Sequence, residues 1–472
     1  MKNSYSLIFL FFISYNLNAQ IISFPDANFK AKLVAANTSN GIAKNSFGNN
    51  FKIDSNNNSE IEVSEALNVY QLFITTNILN TTADLTNLSG IEYFTNLRIV
   101  NCSGNQISSL NLTALIHLEE IKANNNTLST VNLSGLTTLK KIDFNHNFLT
   151  SININNFSNL TELFIYDNQI TALNFLNNPN LSSINCRINA ITSLDLTSLS
   201  SLYWVSCDSN QLTSLNVAGL PLIYEIECGN NLLTSLNVSG LSTLGILGCE
   251  NNQISTLNVS SLSSLWRLDC SSNPISNLNV NGLNNLQFLI ADAILVSSMN
   301  CSQSGIRNLV MNNSPNLQTI NLQNNIISTS DPDLLYYAFR IGNNSQLTSI
   351  CVDNGEQNNL SYGNFSYNTS GNVVVYTGPT CSTVVQVMDV TDFANETQFV
   401  LFPNPTSDAI SIESTDSFEI ISIYTTLGQL VKTVRNQLQN SITINVSELK
   451  TGTYFLSIET DKGKSTQKFI KL

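Results

Sequence analysis

Charge is scarce in this chain: Asp, Glu, Lys and Arg together make up 11% of its 472 residues, with 33 acidic against 20 basic, for a net charge of −13. Phosphate recognition needs clustered Lys and Arg, so nucleic acid is excluded as a partner. Histidine is nearly absent. His117 and His146 stand in no metal-ligand spacing, and there is no nucleophile elbow, phosphate loop or dinucleotide fingerprint. Paired carboxylates such as Glu225/Glu227 share a face if extended, and solvated strand surface accounts for them. The chain is therefore expected not to be an enzyme. Long apolar runs are missing too. No segment reaches the roughly 18 apolar residues that a transmembrane helix needs, so no membrane-spanning segment is expected.

What is abundant is a register. Leu97, Leu118, Leu139, Leu160, Leu181, Leu202, Ile223, Leu244, Leu265 and Leu286 follow one another at intervals of 21 residues. Eight residues after each of the first nine comes Asn: Asn105, Asn126, Asn147, Asn168, Asn189, Asn210, Asn231, Asn252 and Asn273. One turn cannot bury its own apolar side chains, so successive turns must stack into a continuous core. A buried Asn column is tolerable only if each amide meets partners, which predicts a ladder bonded to the backbone of its own and the adjacent turn. The pattern L-x-x-L-x-C/L-x-x-N-x-L-x-x-L-x-V/L resembles the leucine-rich repeat. The resemblance implies a mainly β solenoid of 21-residue repeats with parallel strands, expected over 69–350.

Cys102, Cys186, Cys207, Cys228, Cys249 and Cys270 occupy one repeat position, where other turns carry Ala123, Phe144, Ile165 and Ala291. A slot shared with Phe and Ile is a core slot, so these are expected to be buried free thiols. Past Leu286 the register slips, with Ile294 where Asn is due. Cys351 and Cys381 lie outside the column and bracket a closing segment, 351–383; they are the pair expected to form a disulfide sealing the last turn.

Residues 1–19 read as a secretory signal peptide: Lys2, the apolar run Leu7–Ile13, and a cleavage site before Gln20. A helical cap is expected within 20–68, with a helix from Phe24 to Ala36 and another over Ala66–Tyr70. Between them, Asp54, Asn56, Asn58, Glu60, Glu62 and Glu65 place oxygen donors at loop positions 1, 3, 5, 7, 9 and 12 with Ile61 at 8. This resembles the EF-hand or dockerin-type calcium loop, although position 6 is Ser59 rather than Gly. The resemblance implies calcium as a cofactor held by those six residues, Glu60 through its carbonyl, with the ion fastening the cap.

Residues 384–395 read as a linker, and 396–472 change in texture to short alternating strands of a small β-sandwich, including Ala409–Ser414 and Phe418–Tyr424. In order come Pro403-Asn-Pro405, Leu427-Gly-Gln-Leu-Val431, Leu449-Lys-Thr-Gly-Thr-Tyr454 and a Lys-rich end. This set is similar to the C-terminal sorting domain of type IX secretion, which implies the type IX machinery as a partner and a secreted or outer-surface location.

The second half of each repeat is monotonous, while outward positions of the first half vary. Phe164, Tyr166, Arg187 and Trp204 fall on three consecutive turns, and Tyr203, Tyr224 and Trp266 form a second column. Exposed aromatics with Arg among polar residues have the composition of a binding hot spot. These four are the expected ligand-binding residues, for a protein or a glycan. The other reading is a structural spacer or adhesin stalk without a ligand on the repeats.

Overall fold

The structure, a computed structural model, describes residues 20–75, 84–326, 339–354, 365–366, 373–377, 383–388, 399–425, 429–460 and 463–472. The expected signal peptide and Cys381 lie outside these. The chain divides into two compact units, one ending at Ser314 and one starting at Pro315.

In the first unit every turn contributes a three-residue strand to one parallel sheet, from Gln71–Phe73 through Ile99–Asn101, Glu120–Lys122 and onward to Asn308–Val310. Pairing is in register with the repeat: Leu163 lies beside Ile184, Ile184 beside Val205, Val205 beside Ile226. The central residue of each strand points into the core and its neighbours point out, the period of two that a strand imposes. Second halves pair only here and there, as in Ser193–Asp195 with Ser214–Asn216.

The Asn column does what a buried amide must. Asn126 Nδ2 donates to the carbonyls of Ala123 in its own turn and Cys102 in the preceding one, at 3.1 and 3.0 Å, while its Oδ1 accepts from Ile107 N at 3.0 Å. Asn231 repeats the set with Cys228, Cys207 and Leu212. The residue before each Asn turns the chain through the left-handed region: His146, Asp167, Ile188, Ser209, Asn230, Asn251 and Ser272 all have φ between 52° and 57°. Ile188 is the costly member, since a β-branched side chain crowds the backbone there.

The Cys column is fully buried and free of disulfides, and Cys301 joins it. Burial pushes the thiols of Cys102, Cys186 and Cys301 up to about 12, so the thiolate that would react is withheld.

The cap helix is shorter than expected, Ala27–Val34, because Asp26 caps it through Asn28 N and Phe29 N. The other Asp26 oxygen accepts from Thr86 N and Oγ1, tying the cap to the first regular turn. Phe29 and Leu33 enter the core, and Lys32 reaches the carbonyl of Thr75. The second helix starts earlier than Ala66, at Val63, and ends there.

In the second unit, Thr319–Asn321, Ser349–Cys351 and Val373–Thr377 pair in parallel. Thr383–Met388 then pairs antiparallel with Val373–Thr377, so the first five residues of the expected linker are strand: Val384, Val385 and Val387 supply the β-forming residues. Cys351 is disulfide-bonded. From Phe399 on, five antiparallel strands form one hydrogen-bonded sheet around a single core that includes Phe399, Ile412, Phe418, Ile423, Leu456 and Phe469. The two strands expected at 409–414 and 418–424 are one, Ala409–Thr425, interrupted by a register shift between Glu413 and Phe418.

Two substitutions test this account in opposite directions. Asn231→Ala leaves Leu212 N without its partner, while the Cys207 and Cys228 carbonyls keep Asn210 and Asn252; for one orphaned buried group a loss of about 1–3 kcal/mol is expected in chemical denaturation. Ile188→Gly is expected to gain about 1 kcal/mol, because it relieves the left-handed turn and its side chain is 41% exposed.

Candidate ligand-binding face

Because turns stack in register, residues 21 apart become neighbours on the strand face. In the first turns the columns alternate in sign: Arg98, Glu119 and Lys140 form a chain of ion pairs at 2.7 Å each, and Lys141 meets Glu162 at 2.6 Å. Hydrogen bonds from Lys140 hold the Glu119 carboxyl below the usual range, with Arg98 adding. The charges of this stretch are largely spent on one another.

Beyond it aromatic rings take over. Phe164 and Trp204 meet edge to face with centroids 6.4 Å apart, across the small Ser183 of the strand between them. Arg187 lies 6.0 Å from the Tyr166 ring and 3.6 Å from the Asp208 carboxylate. The four expected residues thus form two neighbouring pairs rather than one cluster. Tyr166 also hydrogen-bonds through its hydroxyl to His146 Nε2 at 2.6 Å, and His146 Nδ1 to Asp167 at 2.5 Å. Sequence reasoning passed over His146, although Asp167 stands 21 residues on and was bound to lie beside it.

The column Tyr203, Tyr224, Gly245, Trp266 is the longest aromatic feature. Tyr203 and Tyr224 stack at 5.3 Å and 7°. With no side chain at Gly245, the Tyr224 ring lies over that backbone, where a Cβ would come within 2.5 Å, and its hydroxyl accepts from Trp266 Nε1 at 2.9 Å. Trp266 in turn meets Phe288 edge to face at 5.7 Å. Together with Phe164 and Trp204, rings run along the face from the turn of Leu160 to the turn of Leu286.

Glycines shape the acidic groups beside this ridge in the same way. Glu227 folds onto the next turn above Gly248, and Glu250 folds back above Gly229; a Cβ at either glycine would collide with a carboxylate oxygen at 1.8 and 2.0 Å. Burial pushes Glu227 up to about 7, with Glu250, Glu225 and Asp208 adding repulsion that Arg267, 3.9 Å away, only partly offsets. Burial likewise raises Glu250 and Asp143. A surface groove of about 660 Å³ opens elsewhere, in the second halves of the turns, between Phe175, Asn178, Pro179 and Asp195.

The expected calcium-loop residues are brought together in the cap, where they bond to one another and to the loop backbone. Asp54, Glu62 and Glu65 are buried. Asn56 and Asn58 turn their amide nitrogens toward Glu62 Oε1, at 3.1 and 2.7 Å, and spend their oxygens on the backbone N–H two residues ahead. Ser59, at the position that favours Gly, adopts φ 63°. Among the described residues no three His, Cys, Asp or Glu side chains form a metal-binding group by themselves.

The C-terminal residues 400–472 match the secretion system C-terminal sorting domain, which directs a protein to the cell surface or beyond. Among solved structures, the chain is similar to the functional domain of InlJ from Listeria monocytogenes, which includes a cysteine ladder. That likeness covers 96% of this chain and 98% of the other at 18% identity, with a TM-score of 0.51. A leucine-rich-repeat protein from Leptospira interrogans is similar over 66% of this chain and 81% of its own, at 20% identity and a TM-score of 0.50. These likenesses establish the leucine-rich-repeat fold. No curated protein matches the sequence. Among the described residues, no helix is long and apolar enough to cross a membrane.

The raised carboxyls fix the sign of a pH effect. A folded-state pKa above the ordinary 4.5 gives stability that is complete below 4.5 and lost as pH rises through about 7. The melting temperature is expected to fall between pH 5 and 8, and Glu227→Gln to flatten that fall, as calorimetry at several pH values would show.

Proposed function

We propose that the protein is an exported, non-enzymatic binding protein whose strand face engages a protein or a glycan at the cell surface or outside. The observation that carries this reading is the ridge of rings. Packed cores hide aromatics, and a solenoid built only as a spacer has no use for Phe164, Trp204, Tyr203, Tyr224 and Trp266 on the solvent side of its sheet. Tyr203 is 52% exposed, and its stacking on Tyr224 fixes the ring at small entropic cost to a ligand. Rings held edge to face and stacked present both faces and edges, which suits the C–H faces of sugars and the side chains of a protein partner alike. Arg187 and Asp208 at the margin supply a polar rim.

The C-terminal sorting domain supports export as the setting in which such a face meets its ligand. The alternating charges between Arg98 and Glu162, by contrast, bind to one another and leave little for a partner.

The test is a glycan array and a surface-protein pull-down with the mature chain. The double substitution Phe164→Ala with Trp204→Ala is expected to weaken any saturable interaction by about 10-fold or more while leaving the melting temperature within a few degrees. Unchanged affinity would move the contact off this face. A folded protein with no saturable ligand in either screen would favour a spacer.

A further inference from the structure

The cap contains a charge imbalance that the binding face does not explain. Asp54, Glu62 and Glu65 are only 2%, 4% and 6% exposed, and among the described residues none of the three has a Lys, Arg or His within ion-pair distance. The nearby cations are engaged otherwise: Lys30 pairs with Glu60, and Lys52 bonds to the Asn57 side chain. Carboxylates removed from water in this way need compensation, or their burial costs several kcal/mol each.

Two of the three receive it from the protein. Asp54 accepts from Asn58 N and Ser59 N, and Glu65 accepts from Ser55 N, Ser55 Oγ and Glu62 N. Glu62 does not. Its Oε1 accepts from both Asn56 and Asn58, yet its Oε2, fully buried, has no hydrogen-bond partner at all. A carboxylate oxygen sealed from solvent with no donor is among the least favourable arrangements a fold can hold. Around it the loop holds three carboxylates, the backbone carbonyls and two amides whose nitrogens face Glu62 Oε1 and whose oxygens a half-turn would bring in their place. Oxygen donors in number, with a net charge of about −3, select a hard divalent cation, and a pliable loop with many donors favours calcium over the smaller magnesium.

We propose that this loop, Asp54 to Glu65, binds one calcium ion with Glu62 Oε2 as a direct ligand, and that the ion locks the N-terminal cap onto the solenoid. The second part follows from what the loop holds. Ile22 N donates to Ile61 O and Val63 N to Gln20 O, both at 2.9 Å, so residues 20–22 are laced to the loop itself. Lys30 of the cap helix grips Glu60 at 2.7 Å. Loosening the loop therefore frees the start of the described chain and the helix that covers the first turn's core.

Titration calorimetry and thermal unfolding of the mature chain, with calcium chloride, with magnesium chloride and with EGTA, test both parts. One calcium per chain should bind, the melting temperature should rise by several degrees over EGTA, and EGTA should open residues 20–75 to protease while the repeats stay protected. Glu62→Gln should lose the calcium heat yet melt no lower than the wild type in EGTA, because it removes a buried, uncompensated charge. Asp54→Asn should lose the heat as well. Three results would overturn the proposal: no calcium heat from folded protein, calcium binding that survives in both variants, or magnesium binding as tightly as calcium. A destabilised Glu62→Gln without any calcium effect on the wild type would show that Asn56 and Asn58 alone satisfy the carboxylate.

Discussion

An Asn side chain that reaches two turns at once is the interaction on which the solenoid depends. Each amide has hydrogen-bonding capacity for its own bend and for the one before it, and the bonds form only if successive bends stand one strand spacing apart. That requirement fixes the spacing of the bends rather than the length of chain between them: Asn105 makes the same bond to Ile74 O across a longer first turn, in which Gln71 pairs with Ile99. It also explains why the chain tolerates a left-handed residue before each Asn, even Ile188: the local cost is smaller than that of losing the bonds it permits. Where Ile294 replaces Asn the strict period ends, and the next strand in the sheet, Asn308–Val310, follows Phe288–Ile290 after 20 residues instead of 21.

A strict period turns the sequence into a two-dimensional map, because each column of 21-spaced residues becomes a line of contacts. The same rule produces the alternating ion pairs near Arg98, the stacked tyrosines at 203 and 224, and the acidic groups at 227 and 250. Which of these a column becomes depends on side-chain size. A glycine leaves a gap, and the longer neighbour folds into it, as Tyr224 does over Gly245 and Glu227 over Gly248. The face is therefore shaped as much by what is missing from a column as by what it carries.

Much of this was legible in advance. The core slots, the buried Cys column and the Asn ladder follow from spacing alone, since periodic burial leaves a periodic trace. The aromatic residues were legible as outward-facing, but their partners were not. Phe164 meets Trp204 on a diagonal across the strand Ser183–Asn185, which a column reading does not show, and Tyr224 lies over Gly245 to reach Trp266. His146 was dismissed on its lack of a metal spacing, when the useful question was which residue stood one turn away. In the cap, donor spacing placed Asp54, Glu62 and Glu65 together, but nothing in the spacing tells which way an Asn amide faces. The strand Thr383–Met388 escaped notice because its partner, Val373–Thr377, completes it from outside the segment. Ala409–Thr425 reads as two strands because a register shift interrupts the pairing without ending the extended chain.

The ladder has a direction. Every ladder Asn side chain takes its partners from its own turn and from the one before it, while the backbone N–H of the same residue reaches the turn after, as Asn147 N does to Asp167 O. A turn added at the C-terminal end therefore finds its template already built, whereas a turn cannot complete its bonds until its N-terminal neighbour is in place. Such a structure is suited to vectorial assembly. A chain that emerges N-terminus first can seat each Asn side chain as its turn appears, and the backbone N–H groups of that bend, such as His146 N and Asn147 N, are then the row on which the next turn docks.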